Sequence, residues 1–96
     1  MRNGDSMATV QLSGDIDIAV KDELRARLDA AAEQSDCVDI NLAKVDYADS
    51  TALGLIIALR NKLRERGGTV RLIAPSALMR KLLGYAGLER AFEIIE

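Results

Sequence analysis

The sequence contains no histidine and no tryptophan, and its other aromatic residues are two tyrosines and one phenylalanine. The absence of histidine removes the commonest metal ligand and general base at physiological pH. A nucleic-acid-binding protein would need a basic stripe and aromatic side chains for stacking, whereas this chain carries a net charge of −2. We therefore expect no catalytic residues or enzymatic activity, no metal site, no cofactor and no direct contact with nucleic acid.

Cysteine and long apolar segments are also scarce. The single cysteine, Cys37, excludes an internal disulfide and a cysteine-rich zinc site. Because Cys37 stands at the start of an apolar strand pattern, we expect a buried, inert thiol. No apolar run approaches the ~18 residues that a membrane-spanning helix needs, and residues 1–5 do not resemble a secretion signal. These features predict a cytoplasmic protein without membrane insertion.

What the sequence does contain is an ordinary globular composition, with 49% hydrophobic and 29% charged residues among 96. This length suits one domain spanning residues 1–96. Apolar residues alternate in some segments and recur with helical spacing in others. The predicted strands are 7–13, 38–42, 69–74 and 91–95, and the predicted helices begin near residues 19, 51 and 76. Strands separated by helices imply right-handed crossovers and an α/β fold, with a mainly parallel four-stranded sheet packed against three to four helices.

Several helix ends and buried faces follow from the same patterns. Residues 14–17 are predicted as the turn after the first strand, residues 67–68 as the stop of a second helix that ends at Arg66, and Gly84 as the end of the third helix. The residues predicted to face the interior are Val20, Leu24, Leu28 and Ala31 on the first helix and Leu78, Met79, Leu82 and Leu83 on the third.

Two predicted loops, residues 14–18 and 44–50, each follow a strand and precede a helix. Such loops lie beyond the carboxyl ends of parallel strands, where the sites of open α/β folds gather. They carry four aspartates around two hydroxyls, which are Asp15, Asp17, Asp46 and Asp49 around Ser50 and Thr51. We name these four carboxylates the acidic pole. They could hold Mg²⁺, act as acid and base, or remain solvated surface charges, and we favour the last.

The segment Asp49-Ser50-Thr51 stands where the second helix begins. One interpretation is a helix-capping run and nothing more, since Ser and Asp oxygens accept hydrogen bonds from the first free N–H groups. The other is a phosphorylatable switch, because those N–H groups and the helix dipole favour a phosphate. A phosphoryl group adds about −1.5 to −2 charge, and at ~6 Å each carboxylate of the acidic pole would repel it by roughly 1–5 kcal/mol. A change of ~1.4 kcal/mol already alters partner affinity tenfold.

The first part of the second helix, residues 52–59, is apolar on all sides. Either it is buried under its neighbours, or its outer side, with small Ala52 and Gly54, lets a partner approach closely beside Thr51. The same apolar surface permits a weak dimer.

Several segments, taken in order, resemble the STAS domain family and within it bacterial anti-sigma factor antagonists. Leu12-Ser-Gly-Asp-Ile-Asp17 is similar to the family's Leu-x-Gly-Glu-Leu-Asp turn. Val45-Asp-Tyr-Ala-Asp-Ser-Thr-Ala-Leu-Gly54 is similar to its Asp-Ser-Ser-Gly-Leu-Gly phosphorylation loop, and residues 67–68, 82–88 and 92–94 are similar to its closing half. The resemblance covers nearly the whole chain and implies a single small STAS-like domain.

The resemblance also implies that a cognate anti-sigma factor Ser/Thr kinase phosphorylates a hydroxyl in this loop with its own ATP. Unphosphorylated members bind the anti-sigma factor and free sigma factor, whereas phosphorylated members let go until a PP2C-type phosphatase resets them. Carried onto this sequence, Thr51 is the acceptor and Ser50 the less favoured one, Ser50 and Asp49 shape the loop, and Asp17 is the acidic neighbour. The expected partner-binding residues are Asp17, Asp49, Ser50, Thr51, Ala52, Leu53 and Leu55.

Three departures from the family pattern leave alternatives open. Thr51 replaces the usual serine acceptor, Ala52 replaces a glycine, and the amino-terminal stretch is too short for one edge strand of the longer members. This shortness is also similar to STAS subunits of phospholipid-transporting ABC systems, which bind an ATPase subunit through the same loop. That constitutive transporter role is the alternative function, and a small nucleotide- or ligand-binding module is a third.

Overall fold

A computed structural model of the chain describes residues 7–96. In chain order it contains β1 (Ala8–Ile16), a 3₁₀ turn (Ile18–Val20), α1 (Lys21–Gln34), β2 (Cys37–Ala48), α2 (Ser50–Arg64), β3 (Thr69–Ile73), α3 (Ala77–Tyr85) and β4 (Glu93–Ile95). Within the described range the strands form one four-stranded sheet in the order β1-β2-β3-β4, and every neighbouring pair is parallel. The predicted α/β class, sheet and helices are confirmed. The predictions about a secretion signal in residues 1–5 and about an amino-terminal edge strand lie outside the described residues.

Sheet order follows chain order, and this places α1 and α2 side by side. Right-handed crossovers that advance across a sheet in one direction bring their helices to the same face, and α1 packs against both β1 and α2. The sheet residues on the covered side form the core, where Val38, Ile40 and Leu42 are completely buried. α3 packs against β2. Among the described residues, no helix is long and apolar enough to cross a membrane.

The opposite face of the sheet is polar. The register aligns Thr9, Asp39, Arg71 and Glu93 in one row across the strands. Nε and Nη2 of Arg71 donate to Oδ1 and Oδ2 of Asp39, each at 2.8 Å, in the forked geometry that suits a carboxylate. This hydrogen bonding to Asp39 raises the pKa of the Arg71 guanidinium above its ordinary value. Arg71 therefore stays cationic and ties β3 to β2.

The two loops predicted at the carboxyl ends of the strands are much shorter than expected. β1 and β2 continue to Ile16 and Ala48, which corrects both loops and the predicted turn after the first strand. The parallel pairing of β1 with β2 continues to Ile16 and Ala48 through two shifts of register, one between Gln11 and Ser13 and one between Gly14 and Asp15. Gly14, at a φ of +71°, supplies a backbone conformation that other residues rarely adopt. As a result, Asp17 and Asp49 alone connect these strands to the helical turns that follow.

α2 begins at Ser50 and ends at Arg64, close to the predicted bounds. Its predicted glycine stop is confirmed. The Gly68 N–H donates to the carbonyl of Leu63 at 2.8 Å, and the Gly67 N–H donates to that of Arg64 at 3.0 Å. Gly67 has a φ of +77°, so the paired glycines close the helix with the backbone turn that favours this residue type.

α3 differs from the prediction in the exposure of Leu78 and in the residue at which the helix ends. The Ser76 hydroxyl accepts a hydrogen bond from the Met79 N–H at 3.2 Å, which confirms the predicted helix start. Met79 and Leu83 are buried one turn apart, but Leu78 is 47% exposed. Leu78 was predicted to face inward and does not, because adjacent helical residues point about 100° apart. Gly84 does not end the helix, which extends one residue beyond it in helical conformation.

Cys37 is half-buried, which corrects the predicted buried thiol. Side chains alternate between the two faces along a strand. Because the neighbouring Val38 points into the core, Cys37 faces the polar side of the sheet.

Candidate functional site

Asp49 shapes the start of α2. Its Oδ1 accepts a hydrogen bond from the Ala52 N–H at 2.9 Å, and its carbonyl oxygen accepts one from the Leu53 N–H at 3.0 Å. Asp49, and not Ser50, is therefore the N-cap. The N–H groups of Ser50 and Thr51 have no acceptor within the described part of the chain. The helix thus presents polarised donors at this end.

The same carboxylate reaches the end of the neighbouring strand. Asp49 Oδ2 accepts a hydrogen bond from the Ile18 N–H at 3.0 Å, and the Asp49 N–H donates to the Ile16 carbonyl at 3.1 Å. Asp17 caps the 3₁₀ turn, where its Oδ1 accepts from the Ala19 N–H at 3.0 Å. Asp49 holds the end of β1 and the 3₁₀ turn against the start of α2, while Asp17 caps the turn itself. This double contact explains why Asp49 takes the cap position.

The two candidate phosphate acceptors differ in exposure. Ser50 is exposed, whereas Thr51 is half-buried. Neither hydroxyl forms a hydrogen bond with any residue that the structure describes. Both side chains therefore stand at the surface where α2 begins, and Thr51 is not enclosed in the core. Which of the two accepts a phosphoryl group stays a prediction.

The carboxylates of the acidic pole lie at this edge of the sheet without converging on one point. Asp17 and Asp49 flank the helix start, whereas Asp15 and Asp46 are exposed near the ends of β1 and β2. Among residues 7–96, no three acidic or cysteine side chains lie close enough together to hold a metal ion. The acidic pole is a spread of negative charge around the two hydroxyls.

The first turns of α2 offer a partner some apolar surface. Ala52 and Ile56 face the core at 1% and 2% exposure, while Leu53 and Leu55 are half-buried. Of the residues predicted to contact a partner, Leu53 and Leu55 can therefore do so through their side chains, but Ala52 cannot. Gly54 is exposed and keeps the predicted role of a small outward residue.

Two exposed apolar residues at this edge were not predicted from the sequence. Ile18 is 66% exposed in the 3₁₀ turn, and Tyr47 is 44% exposed near the end of β2. Ile18 lies outside the helical spacing that predicted an inward face from Val20 onward, and this mismatch is the signal that could have marked it; Val20 itself is half-buried in the 3₁₀ turn. Tyr47 carries no such signal, because the prediction ended the strand before it.

Comparison with known proteins agrees with this architecture. The family model described as Mlab, STAS domain, matches residues 2–96. The chain is 32% identical over 85 residues to the Anti-sigma-B factor antagonist of Bacillus subtilis (strain 168), and the aligned part covers 88% of this chain and 78% of that protein.

Two solved structures are similar in fold. The Bacillus cell fate determinant SpoIIAA in the phosphorylated form matches with a TM-score of 0.73 at 22% identity, over 100% of this chain and 87% of that chain. A sulfate transporter family protein from Wolinella succinogenes matches with a TM-score of 0.79 at 18% identity, over 93% of this chain and 75% of that chain. At these identities both structures show a shared fold alone. The family match and the Bacillus subtilis relative show that the chain belongs to the STAS domain family, alongside anti-sigma factor antagonists.

Proposed function

We propose that the protein is an anti-sigma factor antagonist whose binding to an anti-sigma factor Ser/Thr kinase is controlled by phosphorylation at the start of α2. Unphosphorylated, it binds the kinase and thereby releases sigma factor. The kinase transfers the γ-phosphoryl group of its own ATP to the Thr51 hydroxyl, or less favourably to Ser50; the bond to the β-phosphate breaks, the hydroxyl proton is released, and ADP stays bound to the kinase. The phosphorylated protein then dissociates, and a PP2C-type phosphatase hydrolyses the phosphoester. The protein itself is a regulator and performs no catalysis.

The observation that carries this proposal is the pair of surface hydroxyls at the first residues of α2. Ser50 is exposed, Thr51 is half-buried, and Asp49 fixes the backbone beside them with hydrogen bonds to two segments. A kinase needs such an accessible hydroxyl on a defined backbone. The Bacillus subtilis relative, named an anti-sigma factor antagonist, supports the class of partner. SpoIIAA, which was solved in a phosphorylated form, supports a phosphorylation switch on this fold.

Electrostatic interactions explain how one phosphoryl group would weaken binding to the kinase without refolding the protein. The polarised N–H groups at a helix start stabilise an anion by about 0.3–1 kcal/mol, and by up to ~2 kcal/mol where partly buried. Repulsion by Asp17 and Asp49 opposes this gain. In the kinase complex, however, the new phosphoryl group faces the phosphates of ADP. Like charges at an interface weaken docking and favour dissociation.

The test is to incubate the purified protein with each anti-sigma factor kinase of the source bacterium and ATP, and to map the phosphoryl group by mass spectrometry. We expect one phosphoryl group on Thr51, at most a trace on Thr51→Ala through Ser50, and an unchanged yield on Ser50→Ala. Thr51→Asp, which carries a permanent negative charge, should bind the kinase weakly. No phosphoryl transfer to the start of α2, or normal binding by Thr51→Asp, would overturn the proposed switch.

A transporter role is the second candidate, because the sequence also resembles STAS subunits of phospholipid-transporting ABC systems and the matching family model is described as Mlab, STAS domain. The protein would then be a constitutive subunit bound to the ATPase subunit of a phospholipid-transporting ABC system, with Thr51 as a contact residue. That role requires co-purification with the ATPase and ATP hydrolysis that depends on this protein. An ATPase that hydrolyses ATP equally well without it would remove this candidate.

A further inference from the structure

Five large apolar side chains are exposed among the described residues, and two of them, Ile18 and Tyr47, lie at the edge that carries the candidate site. We propose that Ile18 is the apolar anchor with which the protein docks onto its anti-sigma factor kinase, with Tyr47 exposed at the same edge of the sheet. The kinase receives this anchor in an apolar pocket bordered by Lys or Arg side chains. This inference rests on the proposed function and specifies the chemistry of the partner surface.

The backbone of Ile18 is fixed while its side chain is free. The Ile18 N–H donates to Asp49 Oδ2 at 3.0 Å, and the Val20 N–H closes the turn by donating to the Asp17 carbonyl at 3.0 Å. The side chain itself is 66% exposed. A side chain on a preorganised backbone loses little conformational freedom when it docks, so more of its apolar burial is available for affinity.

Tyr47 is a second exposed apolar side chain near the carboxyl ends of β1 and β2. In the pairing of β1 with β2, Tyr47 lies opposite Asp15, while the next pair, Ile16 with Ala48, is buried in the core. Asp15 and Tyr47 therefore share the outward face of the strand ends from which the turn departs. Tyrosine is enriched at protein interfaces because its ring buries apolar area while its hydroxyl remains solvated or hydrogen-bonded.

The four carboxylates of the acidic pole outnumber Lys21 and Lys44, the cations on the adjoining segments, and define the rim of the partner's pocket. The ion pairs between described residues use Asp29, Asp36, Asp39 and Glu96. None of them uses a carboxylate of the acidic pole, which therefore presents net negative charge to an approaching protein. An apolar centre with a charged rim is matched best by an apolar pocket with cations around it. This complementarity selects a basic rim on the kinase.

Substitutions in the apolar anchor and in the acidic pole should have effects on affinity that depend differently on salt concentration. Replacing Ile18 removes apolar contact area, so its effect on the dissociation constant should be the same between about 0.05 and about 0.5 M salt. Replacing both Asp15 and Asp46 with asparagine removes exposed charge, and its effect should shrink over that range.

The experiment measures dissociation constants of the wild type and Ile18→Ser for the anti-sigma factor kinase of the source bacterium that binds the wild type, by titration calorimetry. The matched control is Tyr85→Ser, because Tyr85 is 82% exposed at the far end of α3. We expect Ile18→Ser to bind about tenfold or more weakly, at every salt concentration. Tyr85→Ser should bind within about twofold of the wild type.

The possible failures are distinguishable. A wild type that binds a kinase while Ile18→Ser binds equally well would overturn the anchor and leave the proposed function standing. A wild type that binds none of the purified kinases would overturn the proposed function and the anchor with it. An effect of Ile18→Ser that disappears at high salt would also overturn the apolar role of this residue.

Discussion

Replacing Asp49 with alanine should loosen two parts of the fold at once. The Asp49 carboxylate caps α2 through the Ala52 N–H and holds the 3₁₀ turn through the Ile18 N–H, which lies 31 positions away in the chain. Alanine offers neither acceptor. The start of α2 and the end of β1 would then be joined only by backbone contacts.

The expected loss follows from the two hydrogen bonds. Loss of an N-cap side chain destabilises by about 0.5–2 kcal/mol. The bond to Ile18 is exposed to solvent, and at a net value of about 0.5–1.5 kcal/mol it brings the total to roughly 1–3.5 kcal/mol. At about 4–8 °C per kcal/mol for a domain of this size, that total lowers the melting temperature by roughly 4–28 °C.

Urea denaturation followed by circular dichroism would measure this loss. Asp49→Ser keeps an N-cap acceptor but is too short to reach Ile18 as well, so it should fall between the wild type and Asp49→Ala. Asp46→Ala is the control, because Asp46 is exposed on β2 and its loss should change stability by no more than about 0.5 kcal/mol. If Asp49→Ala is as stable as Asp46→Ala, the carboxylate does not hold these segments together.

Three further substitutions test the fold, each by its midpoint of urea denaturation. Gly54→Ala should stabilise α2 by about 0.5–1 kcal/mol, because Gly54 is an exposed helix residue with open space around an added Cβ; a loss of stability would contradict that geometry. Gly67→Ala should destabilise by about 1 kcal/mol, since its φ is +77°; an unchanged midpoint would refute the glycine stop. Leu63→Ala should destabilise by about 2–5 kcal/mol, because Leu63 is completely buried. A loss of stability of no more than about 0.5 kcal/mol, as is usual for an exposed residue, would contradict its place in the core.

The alternation of apolar residues was sufficient to predict the class of fold. Val10 and Leu12 are buried while the intervening Gln11 is exposed, as the period of a strand requires. The helices were equally clear, since Leu24 and Leu28 recur one turn apart and both are buried. These signals are local, so a single sequence carries them in full.

The ends of β1 and β2 could not be predicted in the same way. Gly14 and Asp15 favour a turn locally, but pairing with residues of β2 keeps them in the sheet. That pairing joins segments about thirty residues apart and includes register shifts, which leave no periodic pattern. Tertiary contacts therefore overrode the local preference.

The candidate site was predicted in part. The motif Asp49-Ser50-Thr51 was placed correctly at the start of α2, but the choice between Asp49 and Ser50 as the cap depends on the contact with Ile18. Both residue types are good caps, so local preference does not decide between them. The exposure of Ile18 likewise depends on where the 3₁₀ turn sits against α2.

The most direct test of the proposed switch compares one protein in two states. The protein phosphorylated at Thr51 and the unphosphorylated protein would each be titrated into the anti-sigma factor kinase with ADP bound, at the same ionic strength. We expect the phosphorylated form to bind at least about tenfold more weakly, which corresponds to ~1.4 kcal/mol. Equal dissociation constants for the two forms would contradict control of docking by charge at the start of α2.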